Sequence, residues 1–229
     1  MFSVSSVVND PSAFPIHFID FEGNGASGII EFGVVTLRGG EIASTRTRLC
    51  AAMGRVKAED TAIHGIGEEE LAAAAPFKEE WEYFATMRES GPLAAHFAHA
   101  ENYLLKSVWA YPRTGPDFAR PGRTLAEWGP WIDTGRLYPQ FFPHLGDGKL
   151  AELIVACGLQ TELDRRAVEH CPASRRNYHA ALYDALAGAL LLQTFLRRPE
   201  FADATLPWLL QMSTMDGRKR GALQQGDLF

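Results

Sequence analysis

The stretch ALYDALAGALLL, residues 181–192, is apolar on nearly every side of a helix. A helix without a polar face must be buried on most faces, so this chain has to build layers around it. The helix reads as spanning 178–197, stopped before Pro199, and carries Asp184 in its middle. A buried carboxylate is normally paired or bound to a metal. An Asp on one wet stripe of the helix is the plainer reading.

The first half of the chain supplies a sheet. HFIDFEGNG, residues 17–25, reads as a strand over 16–22 running into a glycine loop. Asp20 and Glu22 share one face of that strand. Like charges so placed repel unless something positive lies between them, although a frayed strand end with solvated acids also fits. Two further strands, 28–37 and 41–50, meet at Arg38-Gly39-Gly40, a hairpin signal. Residues 57–90 have helical composition, as two helices split at Pro76. A short buried strand near 93–97 precedes a helix ending before Pro112, and 112–130 reads as a long loop. WIDT at 131–134 opens a strand or helix, KLAELIVACGL is a short helix stopped by Gly158, and another covers 205–214. The pattern is α/β: a mixed central sheet with an antiparallel hairpin, flanked by helices. Residues 1–14 form a loose lead-in, 15–214 one domain, and 215–229 a mobile tail without apolar periodicity.

At 229 residues, 46% hydrophobic and 22% charged, the composition is that of a soluble globular protein. No apolar run is long enough to span a bilayer, and the first residues lack a basic segment of the secretory type. Three scattered cysteines suit a reducing cytoplasm. The net charge of −6 argues against a general nucleic-acid coat protein while leaving room for a local basic groove.

Two more segments carry chemistry. His179 precedes Asp184 by a spacing of about 140° around a regular helix. The two converge if Asn177 is the N-cap and His179 sits in the first turn, where the helix dipole favours a neutral ring. HFAHAENYLL, residues 96–105, offers Glu101 at a helix start, where an acid is also a favourable cap.

In this order the pieces resemble the DEDDh family of 3′–5′ exonucleases, which includes the proofreading subunit of bacterial DNA polymerase III. The resemblance covers residues 16–196. Asp20 and Glu22 match its first motif, AHFAHAE its second in degraded form, and His179 and Asp184 its third. IEFGVVTL, IHGI, WIDT and KLAELIVACGL are supporting matches. Two departures stand out: Glu101 where the family has Asp, and Phe97 where it has Asn.

The resemblance implies a ribonuclease H-like fold and two divalent cations, Mg²⁺ or Mn²⁺, held by Asp20, Glu22, Glu101 and Asp184. It implies that His179 takes the proton of the attacking water and that nucleoside 5′-monophosphates leave from a 3′ end. Gly23, Asn24, His64 and Phe97 would contact the terminal nucleotide. Lys106, Arg165, Arg166, Arg175 and Arg176 are candidate cations for the substrate groove. A single-stranded or frayed DNA 3′ end is the leading substrate. RNA trimming and a catalytically weak adaptor for DNA ends remain open. The chain ends in QGDLF, similar to the peptide by which bacterial replication proteins bind the sliding clamp. Gln225, Leu228 and Phe229 would be its anchors.

Overall fold

The computed structural model describes residues 10–214. Its sheet contains β1 (Ile16–Asn24), β2 (Gly28–Arg38), β3 (Glu41–Leu49), β4 (Leu93–Ala95) and β5 (Ile132–Asp133), in the order β3-β2-β1-β4-β5. β1–β2 and β2–β3 are antiparallel, and β4 and β5 add parallel strands beside β1. β2 is an interior strand, buried from Gly28 to Leu37, matching its near-continuous apolar run, whereas edge strand β3 is largely exposed. The β2–β3 turn places Gly39 at φ 57° and Gly40 at φ 79°, a conformation that glycine adopts without a Cβ penalty.

The helices are α1 (Ala58–His64), α2 (Glu68–Leu71), α3 (Trp81–Ser90), α4 (Ala98–Val108), α5 (Thr134–Phe141), α6 (Leu150–Ala156), α7 (Gln160–His170), α8 (Ala181–Leu196) and α9 (Leu206–Ser213). They cover both faces of the sheet. On one, Ile16, Phe18, Val35 and Leu37 pack with the apolar residues of α8. On the other, Ile19, Phe21, Phe32 and Val34 pack with Phe77, Phe84, Leu104 and Leu105. Among the described residues, no helix is long and apolar enough to cross a membrane.

Several boundaries differ from the sequence reading. Helix α8 begins at Ala181, so Asp184 lies in its first turn and His179 outside it. Asn177 is not the N-cap; its amide donates to the Tyr178 carbonyl at 2.7 Å, and Ala180 occupies the cap position. GEEELAAAA is helical only over Glu68–Leu71, because the chain turns back to pair Ala51 with Pro76. Helix α7 has no strong signal in the sequence: only Leu163 and Ala167 of its residues are buried. The loop 112–130 contains a two-residue ladder, Gly115–Pro116 with Thr124–Leu125.

Two glycines let α8 approach the sheet. A Cβ on Gly33 would lie 2.3 Å from the Ala181 backbone, and one on Gly188 would lie 2.1 Å from the Phe18 ring. Gly188→Ala should therefore destabilise the protein by about 1–3 kcal/mol through overpacking, despite the ~1 kcal/mol helix-propensity gain of alanine. Urea denaturation measures the difference; a stabilised variant would contradict the close α8–β1 contact.

Candidate active site

Asp20 and Glu22 continue the line of Ile16 and Phe18 on the α8 side of β1. Asp20 is paired across the ladder with Gly33, and Glu22 with Glu31. Because Gly33 has no side chain, the first turn of α8 crosses directly above this point and brings Asp184 towards the strand acids. Asp184 and Glu101 are buried. Glu101 arrives from the other layer, in the first turn of α4.

That turn is set by β5. Asp133 accepts the backbone N–H of Phe97 through Oδ1 at 2.9 Å and that of Ala98 through Oδ2 at 3.1 Å. Both oxygens thus cap α4. Phe97 itself is left-handed, at φ 61°, with its ring over Gly135, where a Cβ would come within 2.7 Å. Its ring remains half-buried between His96 and His99. His96 donates through Nε2 to the Gly148 carbonyl at 2.7 Å and bonds Thr134 through Nδ1 at 2.9 Å. Burial pushes it down to about 4, so it serves the fold as a neutral ring.

His179 is also left-handed, at φ 64°. Its backbone N–H donates to Asp184 Oδ2 at 2.9 Å. One ligand atom each of Glu22, His179 and Asp184 lie within 4.8 Å of one another. The sequence reading brought His179 to Asp184 through a helical first turn; a left-handed residue ahead of the helix does this instead.

The carboxylates repel. Burial, then Glu101, Asp184, Glu22 and Glu31, hold the Asp20 carboxyl well above the usual range. Burial, then Asp184 and Glu31, push Glu22 up to about 8. Burial is the main cause that raises Asp184 to about 7, with the His179 N–H opposing it. Burial and Glu22 raise Glu101, while the Phe21 N–H supports its charged form. Glu101 Oε2 and Asp184 Oδ1 are buried with no hydrogen-bond partner among the described residues. Such orphaned oxygens are costly, and a hard divalent cation would satisfy them. The oxygen donors of Asp20, Glu22, Glu101 and Asp184 suit one.

The remaining expected residues divide. His64 is buried beside the site: Nδ1 accepts the Ile66 N–H at 3.1 Å, and Nε2 has no hydrogen-bond partner. Asn24 shapes the β1–β2 turn, with Oδ1 accepting the Ala26 and Ser27 N–H groups at 2.8 and 3.1 Å. Gly23 is required where it stands, since a Cβ would lie 2.1 Å from the Gly28 carbonyl oxygen. The five proposed groove cations are all engaged. Lys106 pairs with Glu127, and Arg165 and Arg166 with Glu162. Arg176 donates to the Cys171 and Val168 carbonyls, and Arg175 pairs with Glu31. Gln225, Leu228 and Phe229 lie outside the described residues.

Sequence reasoning missed Glu31. Its signal was present: GIIEFGVV places one acid inside an otherwise apolar strand, the same anomaly that singled out Asp184.

No family model matches the chain, and no curated protein matches it. Solved structures do. Exonuclease X in complex with 5′-overhanging duplex DNA superposes with a TM-score of 0.62 at 21% identity, covering 87% of this chain and 99% of that one. The nuclease domain of 3′hExo, a DEDDh family member bound to rAMP, gives 0.57 at 18% identity, covering 82% and 94%. E. coli Exonuclease I with a dT13 oligonucleotide gives 0.61 at 12% identity, covering 83% of this chain and 43% of that one. The fold is ribonuclease H-like.

In this ribonuclease H-like frame the acids make metal-free stability depend on pH. Glu22 and Asp184 titrate near 8 and 7 when folded and near 4 when unfolded. The folded state therefore binds their protons more tightly, and stability is lost as pH rises through that interval. His17 and His96, buried and lowered to about 4, and His64, lowered by burial and then Arg175, act oppositely, but only below about 6.5. Between pH 6.5 and 8 the raised acids set the slope. In EDTA, Tm should fall across that window, and excess Mn²⁺ should flatten the fall by taking the place of the protons. Thermal melts in both conditions check this; a flat EDTA profile would contradict the acid cluster.

Proposed function

We propose that the protein is a 3′–5′ exonuclease that releases nucleoside 5′-monophosphates from DNA 3′ ends, with residues 15–214 as its catalytic domain. The convergence of Asp20, Glu22, Glu101 and Asp184 beside His179 carries this reading. The exonuclease neighbours of the fold support it.

Asp20, Glu22, Glu101 and Asp184 would hold two divalent cations, Mg²⁺ or Mn²⁺. Such ions, when bound, supply Lewis-acid activation and neutralise charge at the scissile phosphate. His179, exposed at the edge of the acid cluster, takes the proton from the attacking water. The water oxygen bonds to phosphorus, and the P–O3′ bond breaks. The leaving 3′-oxygen takes up a proton from solvent. Glu22 accepts the terminal 3′-hydroxyl, and His64 Nε2, unpartnered at the site's flank, bonds the terminal nucleotide. The β1–β2 turn at Gly23 and Asn24 borders that nucleotide, and the half-buried Phe97 ring offers it a stacking face. Glu101 reaches one methylene further than the family's Asp, which suits its approach from the α4 layer.

His179→Ala should lower kcat by about 10²–10⁴-fold while leaving Mn²⁺ affinity, measured by calorimetry, nearly intact. The assay uses 3′- and 5′-labelled DNA and RNA oligonucleotides with Mg²⁺, Mn²⁺ or EDTA. Full activity in EDTA or in His179→Ala would refute the mechanism, and preference for RNA would redirect it to RNA trimming. Binding of labelled ends without cleavage would mark an adaptor.

We further propose that the QGDLF terminus docks on a bacterial sliding clamp through Gln225, Leu228 and Phe229. Tethering would raise the enzyme's concentration at DNA ends without new contacts at the site. The full chain should bind a purified clamp and a form ending at Gln224 should not, with equal activity on free oligonucleotides. Equal binding by both forms, or by neither, would refute the tether.

A further inference from the structure

Arg175 sits where three segments meet, and each gives it an acceptor. Its guanidinium engages Glu31 of β2 with two nitrogens, one being Nε to Oε1 at 3.1 Å. Nη1 donates to the His64 carbonyl at the end of α1. Nη2 also donates to the His179 carbonyl at 3.1 Å. Glu31 Oε2 in turn accepts the Ala181 N–H at 3.0 Å. The pair is well shielded, with side chains 15% and 4% exposed for Arg175 and Glu31.

These bonds converge on the backbone around His179. That residue is left-handed, at φ 64°, a conformation uncommon outside glycine that costs energy unless its surroundings support it. Its N–H is fixed by Asp184 and its carbonyl by Arg175. One residue past Ala180, the Ala181 N–H is fixed by Glu31. Both ends of the short backbone segment that aims the imidazole are thus bonded to charged side chains. Glu31 also raises Asp20, Glu22 and Asp184 through its charge. A fifth acid here opposes the others, which a purely structural partner for Ala181 would not require.

We infer that Arg175 and Glu31 are positioning residues: a two-residue clamp that holds His179 in its left-handed turn and locks it to the His64 turn, so that both rings face one terminal nucleotide. The inference rests on the exonuclease reading. Only a planar fork reaches three acceptors in this arrangement; a lysine ammonium on a flexible stem does not reproduce it.

The test compares wild type, Arg175→Lys, Arg175→Ala and Glu31→Gln, each first shown to fold by circular dichroism and thermal melting. On a labelled oligonucleotide with Mn²⁺, Arg175→Lys and Glu31→Gln should lose about 10–100-fold in kcat, the scale of a small misplacement. In Arg175→Lys, which keeps the charge, Mn²⁺ affinity should stay within about twofold of wild type and kcat should fall by more than KM rises, since the clamp orients a base and touches no substrate atom. Guanidinium added to Arg175→Ala should restore part of kcat. Amide hydrogen exchange at His179 and Ala181 should speed up in both Arg175 variants, whatever the activity. Wild type that cleaves no oligonucleotide overturns the exonuclease reading. Unchanged exchange at both amides, or active Arg175→Lys with wild-type kcat, overturns the clamp. A rise in KM with kcat preserved also overturns it, by making Arg175 a substrate contact.

Discussion

The whole arrangement depends on how closely α8 lies against β1 and β2. At Gly33 the strand offers no side chain, and the backbone of Ala181 and Leu182 occupies the space a Cβ would need. At Gly188 the helix returns the favour to the Phe18 ring. Between these two contacts the helix axis is fixed relative to the strand, and with it the height of Asp184 above Asp20. A larger residue at either glycine would lift the helix and separate the acids. The apolar faces of α8 then follow: with one side pressed on the sheet, α6 and α7 must cover the other, and Leu153, Ile154, Leu163 and Ala167 do so.

Close packing gathers charge that the fold alone would avoid. Asp20, Glu22, Asp184 and Glu31 lie in one another's field, with Glu101 joining from the opposite layer. The raised protonation of Asp20, Glu22, Glu101 and Asp184 is the cost of this gathering in the metal-free protein. Arg175 offsets part of it, lowering Glu22 and Asp184. His17, by contrast, is satisfied internally and neutral: it bonds Thr36 and Ser90 at 3.0 and 2.9 Å, and burial lowers it to about 4. The contrast separates a buried polar residue that serves the fold from acids whose oxygens would suit a cation.

The second layer fixes Glu101 by a different route. An aromatic group of Phe21, Phe77, Phe84 and Trp109 seats α4 against the sheet. Asp133 caps the helix, and its own N–H bonds Ser213 at 2.9 Å, tying β5 to α9. The left-handed Phe97 turn that results points the start of α4 at the acid cluster. Phe97 and His179 are the non-glycine residues with positive φ among those described, and both flank the site.

The sequence by itself determined the layers. The all-apolar helix demanded burial, the Gly-Gly turn specified a hairpin, and the alternation of β1 placed Asp20 and Glu22 on one face. Those signals are local, because periodicity and turn chemistry act over a few residues. It also exposed Asp184 as an acid without a polar face to live on. Tertiary structure decided the rest. The start of α8 moved from residue 178 to Ala181, and its cap from Asn177 to Ala180, because Asp184 and Arg175 bond the backbone of His179 into a left-handed turn. Arg175, expected to meet substrate, was drawn to Glu31, a partner 144 residues away in the chain. Helix α7, nearly polar along its length, gained its place only from α8 beneath it. Pairings of this range carry no local signature, since they are chosen by which surfaces the packed helix and sheet bring together.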